Sequence, residues 1–431
     1  MLLLKNACLF DGLTFREGEV DLLIDDGRVV SIASGMADKE GVRTIDIEGR
    51  ILSPGLIDLH AHFRDPGQEW REDLVSGSRA AAAGGYTTAV AMANTDPALD
   101  VAPLVAYVLD KASRAGGARI LPAGAATKGR KGKEMAEMGT MAEAGAVFFT
   151  DDGAPLSDAG LLRRVLLYSR DIGVRVMEHP EEPSLTAGGQ VNEGRCSSLS
   201  GLKGWPASGE IVDVSRGIAL VRETAAPLHF THVSTAGALD LIREAKAEGL
   251  PVSCDVTPHH LTLTEEAVLE SSFDSVFKVN PPLRSVRDQE ALWQALADGT
   301  IDAIATDHAP YHEDEKDLPF QEASFGIASL ECAVAVVLDA WKRRGRPLPL
   351  ERLLALWTSR PASLLPRAWQ GLGRIAEGSR ADLTVLDLEE MRVVDRADWQ
   401  SKGCNCPWQG MLLQGWPILT LVDGVPFEPR G

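Results

Sequence analysis

The chain has 431 residues, of which 45% are hydrophobic and 24% are charged. This composition is typical of a globular protein with a sizeable core, and it excludes a disordered or fibrous chain. The 62 acidic residues outnumber the 43 basic ones, so the formal net charge is −19. A strongly acidic surface repels phosphate backbones and anionic lipids, so we expect neither a nucleic-acid partner nor a membrane partner.

Cysteine usage and the N-terminal residues bear on the compartment. The six cysteines are scattered, which is typical of a reducing environment rather than of a disulfide framework. Residues 1–10 lack the basic start and long apolar stretch of a signal peptide. We therefore expect a cytoplasmic protein. Cys404 and Cys406 are separated by one residue, too close for a zinc knuckle, and we interpret them as structural.

Short apolar runs rich in β-branched residues alternate along the chain with stretches of helical length. This alternation is typical of βαβ units around a parallel sheet. Eight such runs predict an α/β fold whose sheet closes into a TIM-like (β/α)8 barrel. The runs are Gly55–His60, Thr87–Asn94, Arg119–Ala126, Ala146–Asp152, Val174–His179, Leu228–His232, Val252–Thr257 and Ile301–Asp307. The helix-like stretches include Trp70–Ala83, Ala136–Ala144, Leu161–Ile172, Ile211–Glu223 and Leu239–Ala247.

The two ends of the chain carry strand signals of another kind. The runs Val20–Asp25 and Arg28–Ile32 flank the turn Asp26-Gly27, a strong hairpin signal. Neither end has enough strands for a stable sheet, so we expect the two ends to pair. The predicted organisation is a small β-sandwich from residues 1–53 and 370–431, beside a barrel domain of residues 54–369. The later strand signals are Ala381–Leu386, Met391–Val394 and Leu419–Val422, followed by the turn Asp423-Gly424.

Polar and titratable residues terminate several of the eight runs. In a (β/α)8 barrel, chemistry occurs where strands end and loops begin. Four of the nine histidines lie at these ends. One such histidine is more often a hydrogen-bonded packing residue than a ligand, but four of them with two aspartates favour a metal site. The residues at the ends are His60, His62, Arg64, Asn94, Asp151, Asp152, His179, His232 and Asp307, and His308 directly follows Asp307.

The spacing of His60 and His62 suits metal binding. Side chains alternate along an extended segment, so both rings point to the same face. Neutral imidazole is a preferred ligand of divalent ions such as zinc. Four histidines and two aspartates exceed the needs of one tetrahedral ion, and they suit two metals that share a carboxylate and a hydroxide.

Several segments resemble one family in chain order. The segment PGLIDLHAHFR at 54–64 resembles the opening strand of the metal-dependent amidohydrolase superfamily, and residues 60–97 are similar to the dihydroorotases. The resemblance spans nearly the whole chain. The later matching pieces are FTDDG (149–153), HVST (232–235), VTPHHL (256–261), VNPPLR (279–284), TDHAP (306–310) and SFGI (324–327).

The resemblance implies a centre of two Zn²⁺ ions bridged by Asp152 and a hydroxide. Asp151 is an alternative bridge. In part of the superfamily a carboxylated lysine bridges the metals, and Lys128 is the candidate at the end of the third strand. The implied metal ligands are His60, His62, Asp152, His179, His232 and Asp307.

The resemblance also implies the reaction, the reversible interconversion of (S)-dihydroorotate and N-carbamoyl-L-aspartate in de novo pyrimidine biosynthesis. Asp307 is then the catalytic residue, a general base that becomes a general acid. Arg64 offers a planar fork for the substrate carboxylate, and Asn94 adds an amide hydrogen bond. The full set of implied substrate contacts is Arg64, Asn94, Asn280, Tyr311, His312, Phe325 and Gly326.

One departure from the family pattern concerns the substrate. The pattern DHAPH ends in a histidine that helps hold the carboxylate, but here Tyr311 occupies that position and His312 follows it. Either Tyr311 substitutes, or a loop shift brings His312 in, or the substrate differs. Three alternatives therefore stay open: a hydantoinase, dihydropyrimidinase or allantoinase activity. A catalytically inactive assembly partner of aspartate transcarbamoylase is a fourth.

The remaining expectations concern partners and neighbouring residues. We expect a small-molecule substrate, a homodimer, and a possible complex with aspartate transcarbamoylase. His259 and His260 are interpreted as supporting the site or capping the seventh strand, and His308 as packing behind Asp307. His229 is interpreted as structural. The acidic run 313–317 is interpreted as solvated charge, with a mobile lid as a further hypothesis.

Overall fold

The chain begins with strands that belong to a sheet outside the barrel. The computed structural model describes residues 1–38 and 40–428; residue 39 and residues 429–431, all within the predicted terminal domain, lie outside the described residues. The first strand was not predicted. The N-terminal strands are β1 (Leu2–Phe10), β2 (Phe15–Asp25), β3 (Arg28–Ala33), β4 (Arg43–Asp46) and β5 (Ile51–Pro54).

All eight predicted barrel strands are present, and each pairs in parallel with its neighbour. Their order in the sheet is the order of the chain. The barrel strands are β6 (Leu56–Ala61), β7 (Tyr86–Ala91), β8 (Arg119–Gly124), β9 (Phe148–Phe149), β10 (Arg175–Glu178), β13 (Leu228–Phe230), β14 (Val252–Val256) and β15 (Ala303–Ile304). A separate two-stranded sheet pairs β11 (Val191–Asn192) with β12 (Gly204–Trp205).

The last barrel strand returns to the first. Ala61 forms a parallel bridge with His308, and the His62 N–H donates to the His308 carbonyl at 2.8 Å. Asp58, wholly buried in β6, accepts hydrogen bonds from the N–H and the hydroxyl of Thr306. These contacts close the barrel next to two candidate metal ligands, His62 and Asp307.

The C-terminal strands complete the sheet that β1–β5 begin. They are β16 (Leu383–Val393), β17 (Leu412–Val422) and β18 (Val425–Pro426). The sheet has the order β18-β17-β16-β5-β1-β2-β3, with β4 paired to β1. The predicted pairing of the two chain ends is therefore correct. The two strands predicted at Ala381–Leu386 and Met391–Val394 are one strand, with an irregularity in its pairing after Asp387.

The predicted hairpin between β2 and β3 is confirmed. Asp26 and Gly27 have φ angles of 45° and 70°, and a two-residue turn of this hand matches the twist of the flanking strands.

Fifteen α-helices are described, and most of the longer ones connect barrel strands. They are α1 (Leu74–Ala83), α2 (Ala102–Ser113), α3 (Met138–Ala144), α4 (Ala159–Ile172), α5 (Pro183–Thr186), α6 (Arg195–Ser200), α7 (Ser208–Thr224), α8 (Ala236–Ala247), α9 (Pro258–Thr262), α10 (Glu266–Glu270), α11 (Val286–Asp298), α12 (Glu313–Lys316), α13 (Ala333–Arg343), α14 (Leu350–Ala355) and α15 (Ser359–Leu364). Short 3-10 helices span Lys128–Arg130, Ser275–Phe277, Arg367–Trp369 and Arg396–Asp398.

The first barrel helix begins later than predicted. We expected it from Trp70, but α1 begins at Leu74 because Asp73 caps it. The Asp73 carboxylate accepts hydrogen bonds from the N–H groups of Val75 and Ser76, which would otherwise be unsatisfied. Trp70 therefore lies in a loop.

Apolar side chains from six barrel strands meet in one cluster, so the barrel interior is a packed core. A larger cluster joins the outer faces of the strands to the helices. The terminal sheet has a cluster of its own. These clusters confirm the expected (β/α)8 barrel beside a sheet formed from both chain ends, whereas the exact domain boundaries stay a prediction. Among the described helices, none is long and apolar enough to cross a bilayer.

Candidate metal centre and active site

The six predicted metal ligands meet at the carboxyl ends of the barrel strands. Each of them is at most 6% exposed. They come from five strands that are distant in sequence, and barrel closure brings the first and last of these strands together. The predicted ligands are His60 at the end of β6, His62 just beyond it, Asp152 after β9, His179 after β10, His232 after β13 and Asp307 after β15.

One half of the cluster is built from His60, His62 and Asp307. The His62 Nε2 lies 3.0 Å from Asp307 Oδ1, and the His60 Nε2 lies 3.4 Å from the same oxygen. Asp307 has a φ of 46°, which turns its side chain back toward the two imidazoles. The potential ligand atoms of these three residues all lie within 4.8 Å of one another.

The other half contains His179 and His232, and Asp152 lies between the two halves. Its Oδ1 lies 3.3 Å from His179 Nδ1 and 3.4 Å from His232 Nε2. Its Oδ2 lies 3.1 Å from His60 Nε2 and 3.5 Å from His62 Nε2. A carboxylate whose two oxygens face separate histidine pairs has the geometry of a bridge between two cations.

The buried nitrogens of the cluster fit a divalent metal. His60 is wholly buried; its Nε2 faces the two carboxylates, and its Nδ1 has no hydrogen-bond partner among the described residues. A buried polar atom without a partner costs free energy unless a ligand satisfies it. Imidazole nitrogens and carboxylate oxygens that converge at 3.0–3.5 Å are the donor set that zinc and similar ions prefer. These residues could therefore hold a metal.

The alternative bridging residues point elsewhere. Asp151 accepts hydrogen bonds from the N–H and the hydroxyl of Thr127, so its carboxylate is already satisfied away from the histidines. Lys128 donates to Glu134 at the exposed surface. Of the three candidates, only Asp152 faces the imidazoles.

The electrostatics of the cluster favour cations. Burial by itself raises the pKa of Asp152, but its histidine neighbours outweigh burial and hold that pKa well below its ordinary value. Burial lowers the pKa of His60, yet attraction to Asp152 and Asp307 raises it to about 10. Without a metal, Asp152 and Asp307 therefore keep the His60 imidazole protonated. A bound metal ion would supply the positive charge in place of this proton.

Two ligands are oriented by partners that face away from the centre. The Nδ1 of His62 lies 2.8 Å from Asn94 Oδ1, and the Nε2 of His179 lies 3.1 Å from Glu181 Oε2. An imidazole that donates on one side presents its other nitrogen as a lone pair. The sequence reading missed Glu181, although its position two residues after a strand-end histidine was a signal.

His232 is positioned by Asp255, which was also missed. The N–H of His232 donates to Asp255 Oδ1 at 2.7 Å, and the backbone there has a φ of 36°. The second oxygen of Asp255 lies 2.8 Å from His229 Nε2, and His229 Nδ1 lies 2.8 Å from Ser253 Oγ. His229 is thus part of the support beneath His232.

The other histidines lie behind the cluster. His308 donates toward Glu72, while its Nδ1 accepts from the backbone N–H groups of Ser329 and Leu330. His260 lies between Thr257 and the carbonyl of Pro281. His259 is wholly buried, and burial lowers its pKa to about 4.

A cavity of about 270 Å³ opens in front of the cluster. It brings together every predicted substrate contact except His312. The lining residues are His62, Arg64, Asn94, Arg130, Asp152, Gly153, His179, His232, Val279, Asn280, Asp307, Ala309, Tyr311, Phe325 and Gly326. Arg130 and Gly153 were not predicted.

His312 is the predicted contact that the structure does not bring to the cavity. Its side chain is 50% exposed, and its Nδ1 accepts from the Asp314 N–H as the cap of α12. Capping fixes the ring toward solvent. Tyr311 lies in the cavity instead, with its ring 4.8 Å from the Arg64 guanidinium. Tyr311 and His312 are the two candidates to take the place of the family histidine. The geometry is compatible with Tyr311 and not with His312.

The backbone of Gly326 is committed to protein partners. Its N–H donates to the Lys278 carbonyl, and its carbonyl accepts from Asn405 Nδ2 at 2.9 Å and from Lys316 Nζ at 3.2 Å. Both backbone groups of Gly326 thus already have protein partners, and its role as a substrate contact stays a prediction. Asn280 has a buried Oδ1 that finds no hydrogen-bond partner within the part of the chain that the structure describes.

The acidic run 313–317 is only partly solvated. Glu315 forms an ion pair with Arg71, whose guanidinium also lies 4.8 Å from the Tyr311 ring. Lys316 is buried. The run is thus anchored beside the cavity rather than being wholly surface charge.

A barrel with a convergent His/Asp cluster is the arrangement of the metal-dependent amidohydrolase superfamily, and its relatives place this chain among the cyclic amidohydrolases. A family described as dihydro-orotase-like matches residues 49–238. The dihydroorotase of Pelotomaculum thermopropionicum is 45% identical over 98% of this chain and 97% of its own length. That of Thermus aquaticus is 44% identical over 98% of both chains. The chain belongs to the dihydroorotase family.

Solved structures agree on the fold. The L-hydantoinase (dihydropyrimidinase) from Arthrobacter aurescens has a TM-score of 0.86 at 28% identity, covering 100% of this chain and 96% of that chain. A D-hydantoinase (dihydropyrimidinase) from Thermus sp. has a TM-score of 0.81 at 24% identity, covering 100% and 97%. At the lower identity the likeness shows the fold alone.

Proposed function

We propose that this enzyme interconverts (S)-dihydroorotate and N-carbamoyl-L-aspartate in pyrimidine biosynthesis, with two zinc ions as cofactors. The observation that carries the proposal is the convergence of a carboxylate-bridged histidine cluster and a buried arginine on one cavity. Membership in the dihydroorotase family supports the same reaction.

The six ligands divide between two metal positions in this proposal. His60, His62 and Asp307 hold the first ion, His179 and His232 hold the second, and Asp152 bridges them. When bound, zinc supplies Lewis acidity, which polarises an amide carbonyl and lowers the pKa of water toward 7. Asn94 and Glu181 hold the imidazoles in the tautomers that metal binding requires.

Asp307 is the proposed proton carrier. In hydrolysis it accepts a proton from the water that attacks the ring carbonyl. It then gives this proton to the ring nitrogen as the C–N bond breaks. Its carboxylate lies in the cavity wall within reach of both the cluster and the substrate space. Microscopic reversibility allows the same residue to serve ring closure.

Arg64 is the proposed anchor of the substrate carboxylate. Its side chain is buried, lines the cavity and stacks on Tyr311, which restricts the guanidinium to one orientation. Asn94 presents its amide nitrogen to the same cavity because its oxygen is used by His62. The unpartnered oxygen of Asn280 is available to accept from a ring N–H.

The discriminating experiment assays the purified, zinc-loaded protein against dihydroorotate, hydantoin, dihydrouracil and allantoin. We expect the protein to turn over dihydroorotate. A chelator should abolish this activity, and added zinc should restore it. Turnover of the uncharged rings alone would show that the substrate assignment is wrong. A clean preparation that binds no zinc would instead indicate an inactive assembly partner.

The proposal also includes the setting of the enzyme. We place it in the cytoplasm, in line with six unpaired cysteines, and we propose that it forms a homodimer. A complex with aspartate transcarbamoylase is a second assembly that the family resemblance supports. Light scattering of the enzyme alone, and with aspartate transcarbamoylase, would test both.

A further inference from the structure

The cavity contains a second guanidinium, Arg130, to which the mechanism above gives no role. It follows β8 in the 3-10 helix Lys128–Arg130 and is partly buried. Its hydrogen bonds within the described structure go to the backbone carbonyls of Asp151 and Asp152, at 2.5–3.3 Å. Arg130 is thus held in place by neutral groups, and its charge is not neutralised by a bonded carboxylate.

The position of Arg130 relative to Asn94 is defined by Gly153. A Cβ atom placed on Gly153 would lie 3.8 Å from Arg130 Nη2 and 3.8 Å from Asn94 Nδ2. The two nitrogens therefore flank the same free volume at the cavity wall. Both are donors with no acceptor role, so an anionic oxygen is the group that this space would best accept.

The charge in the cavity supports the same conclusion. Arg64 and Arg130 both line it, and neither has an ion-pair partner among residues 1–38 and 40–428. Tyr311 adds a ring but no positive charge near neutral pH. Two unpaired guanidinium groups in one small cavity of a protein with a net charge of −19 indicate an anionic ligand.

We propose that Arg130 is a substrate-binding residue that, together with Asn94 Nδ2, contacts the substrate carboxylate from the side of the cavity beside Gly153. The proposal rests on the proposed function, since it takes dihydroorotate as the anion. Arg130 is then a specificity residue that distinguishes carboxylate-bearing rings from uncharged ones.

The first test replaces Arg130 and measures each kinetic constant separately. We expect Arg130→Met to raise the KM for dihydroorotate by about ten- to a hundred-fold, the effect of losing a charge-assisted hydrogen bond. The kcat and the zinc content should change by less than about three-fold. Lys131→Met is the matched control, because this neighbouring side chain is exposed. Equal losses in kcat and zinc would overturn the proposal, because they would mean that Arg130 only positions Asp152.

The second test asks whether the charge of Arg130 is what matters. In the Arg130→Met background, Tyr311→His introduces a new cationic group into the cavity. We expect it to recover part of the lost affinity below about pH 6.5, where an unperturbed histidine is protonated. A purely structural role for Arg130 would give no such recovery at any pH.

A binding measurement separates this inference from the proposed function. Calorimetry with orotate, a planar ring with the same carboxylate, needs no turnover. Weaker orotate binding by Arg130→Met than by the wild type supports the inference. If the wild type does not hydrolyse dihydroorotate, the proposed function is wrong, but this result for orotate still supports the role of Arg130. Unchanged orotate binding and unchanged KM would overturn the inference.

Discussion

Asp307 illustrates how one residue depends on its surroundings for its chemistry. Burial raises its pKa, but the neighbouring His60 and His62 outweigh burial and hold the pKa well below its ordinary value. The carboxylate therefore stays ionised across the physiological range. An ionised carboxylate can bind a cation, and in the proposed mechanism Asp307 accepts a proton only as the nucleophile attacks.

We predict that Asp307→Asn lowers kcat for dihydroorotate by about 10²- to 10⁴-fold, because an amide cannot accept and return a proton. The fold and the zinc content should persist, which thermal unfolding and metal analysis would check. Asp317→Asn, at an exposed position in the following loop, is the control and should keep its kcat. Near-normal turnover by Asp307→Asn would remove Asp307 from the mechanism.

At Arg64 the expected change is in substrate affinity. Arg64→Met should raise the KM for dihydroorotate by roughly ten- to a hundred-fold, since the buried guanidinium is the proposed carboxylate contact. Steady-state kinetics would show the effect, and Arg114→Met, in an exposed ion pair with Asp110, should leave KM unchanged. An unchanged KM in Arg64→Met would mean that another group binds the carboxylate.

At the scale of elements, two lysines hold the segment that carries Phe325 and Gly326. Lys316 Nζ, from α12, donates to the carbonyls of Ser324 and Gly326 at 2.8 and 3.2 Å. Lys278 Nζ donates to the carbonyls of Gln321 and Ala323 at 3.0 and 2.7 Å. Both ammonium groups are buried, so one wall of the cavity is fixed by interactions that no sequence period indicates.

Lys316 should make stability depend on pH. Burial, aided by the charge of Lys278, lowers the Lys316 pKa from 10.5 to about 7, whereas Cys404 and Asp274 act in the opposite direction. Between about pH 7 and 10 the unfolded chain therefore binds more protons at this site than the folded chain does, and the contribution of Lys316 to stability rises with pH.

The measurement compares denaturant unfolding of the wild type and of Lys316→Met at pH 7, 8 and 9. The difference in unfolding free energy should move in favour of the wild type by on the order of 1 kcal/mol per pH unit. Taking a difference removes other titrating groups such as Glu331, whose pKa burial raises to about 8. A constant difference across this range would refute the assignment.

At the scale of the whole molecule, the terminal sheet is joined to the barrel by charged side chains. Arg119, at the start of β8, forms ion pairs of 2.8 Å with Asp382 and with Asp423. The Arg119 and Asp382 side chains are only 13% and 6% exposed, so solvent screens their attraction weakly. The two parts of the chain should therefore unfold together.

We predict that Arg119→Met lowers the free energy of unfolding by about 2–4 kcal/mol, because it leaves the Asp382 carboxylate buried and unpaired. Arg380→Met is the matched control. It breaks an ion pair with Asp423 in which both side chains are nearly half exposed, so the loss should stay below about 1 kcal/mol. Equal losses in chemical denaturation would show that burial of the Asp382 pair carries no extra weight.

The barrel and the residues that converge at its strand ends could be predicted from the chain alone. Alternation of apolar runs and helical stretches has a period that follows from backbone geometry, and barrel chemistry lies at strand ends. His60, His62, Asp152, His179, His232 and Asp307 were predicted as a cluster on that basis together with the family resemblance, and the structure brings them together. The turn at Asp26-Gly27 could also be predicted from the sequence, because its conformation depends on two adjacent residues.

Other features required the tertiary structure, since they depend on pairs far apart in sequence. His312 and Tyr311 are neighbours, yet helix capping turns the first toward solvent while Arg64 stacks on the second. The support of His232 by Asp255, and the entry of Arg130 into the cavity, likewise follow from how strands and loops approach one another. Local periodicity records which residues can face a core, but only packing determines which of them meet.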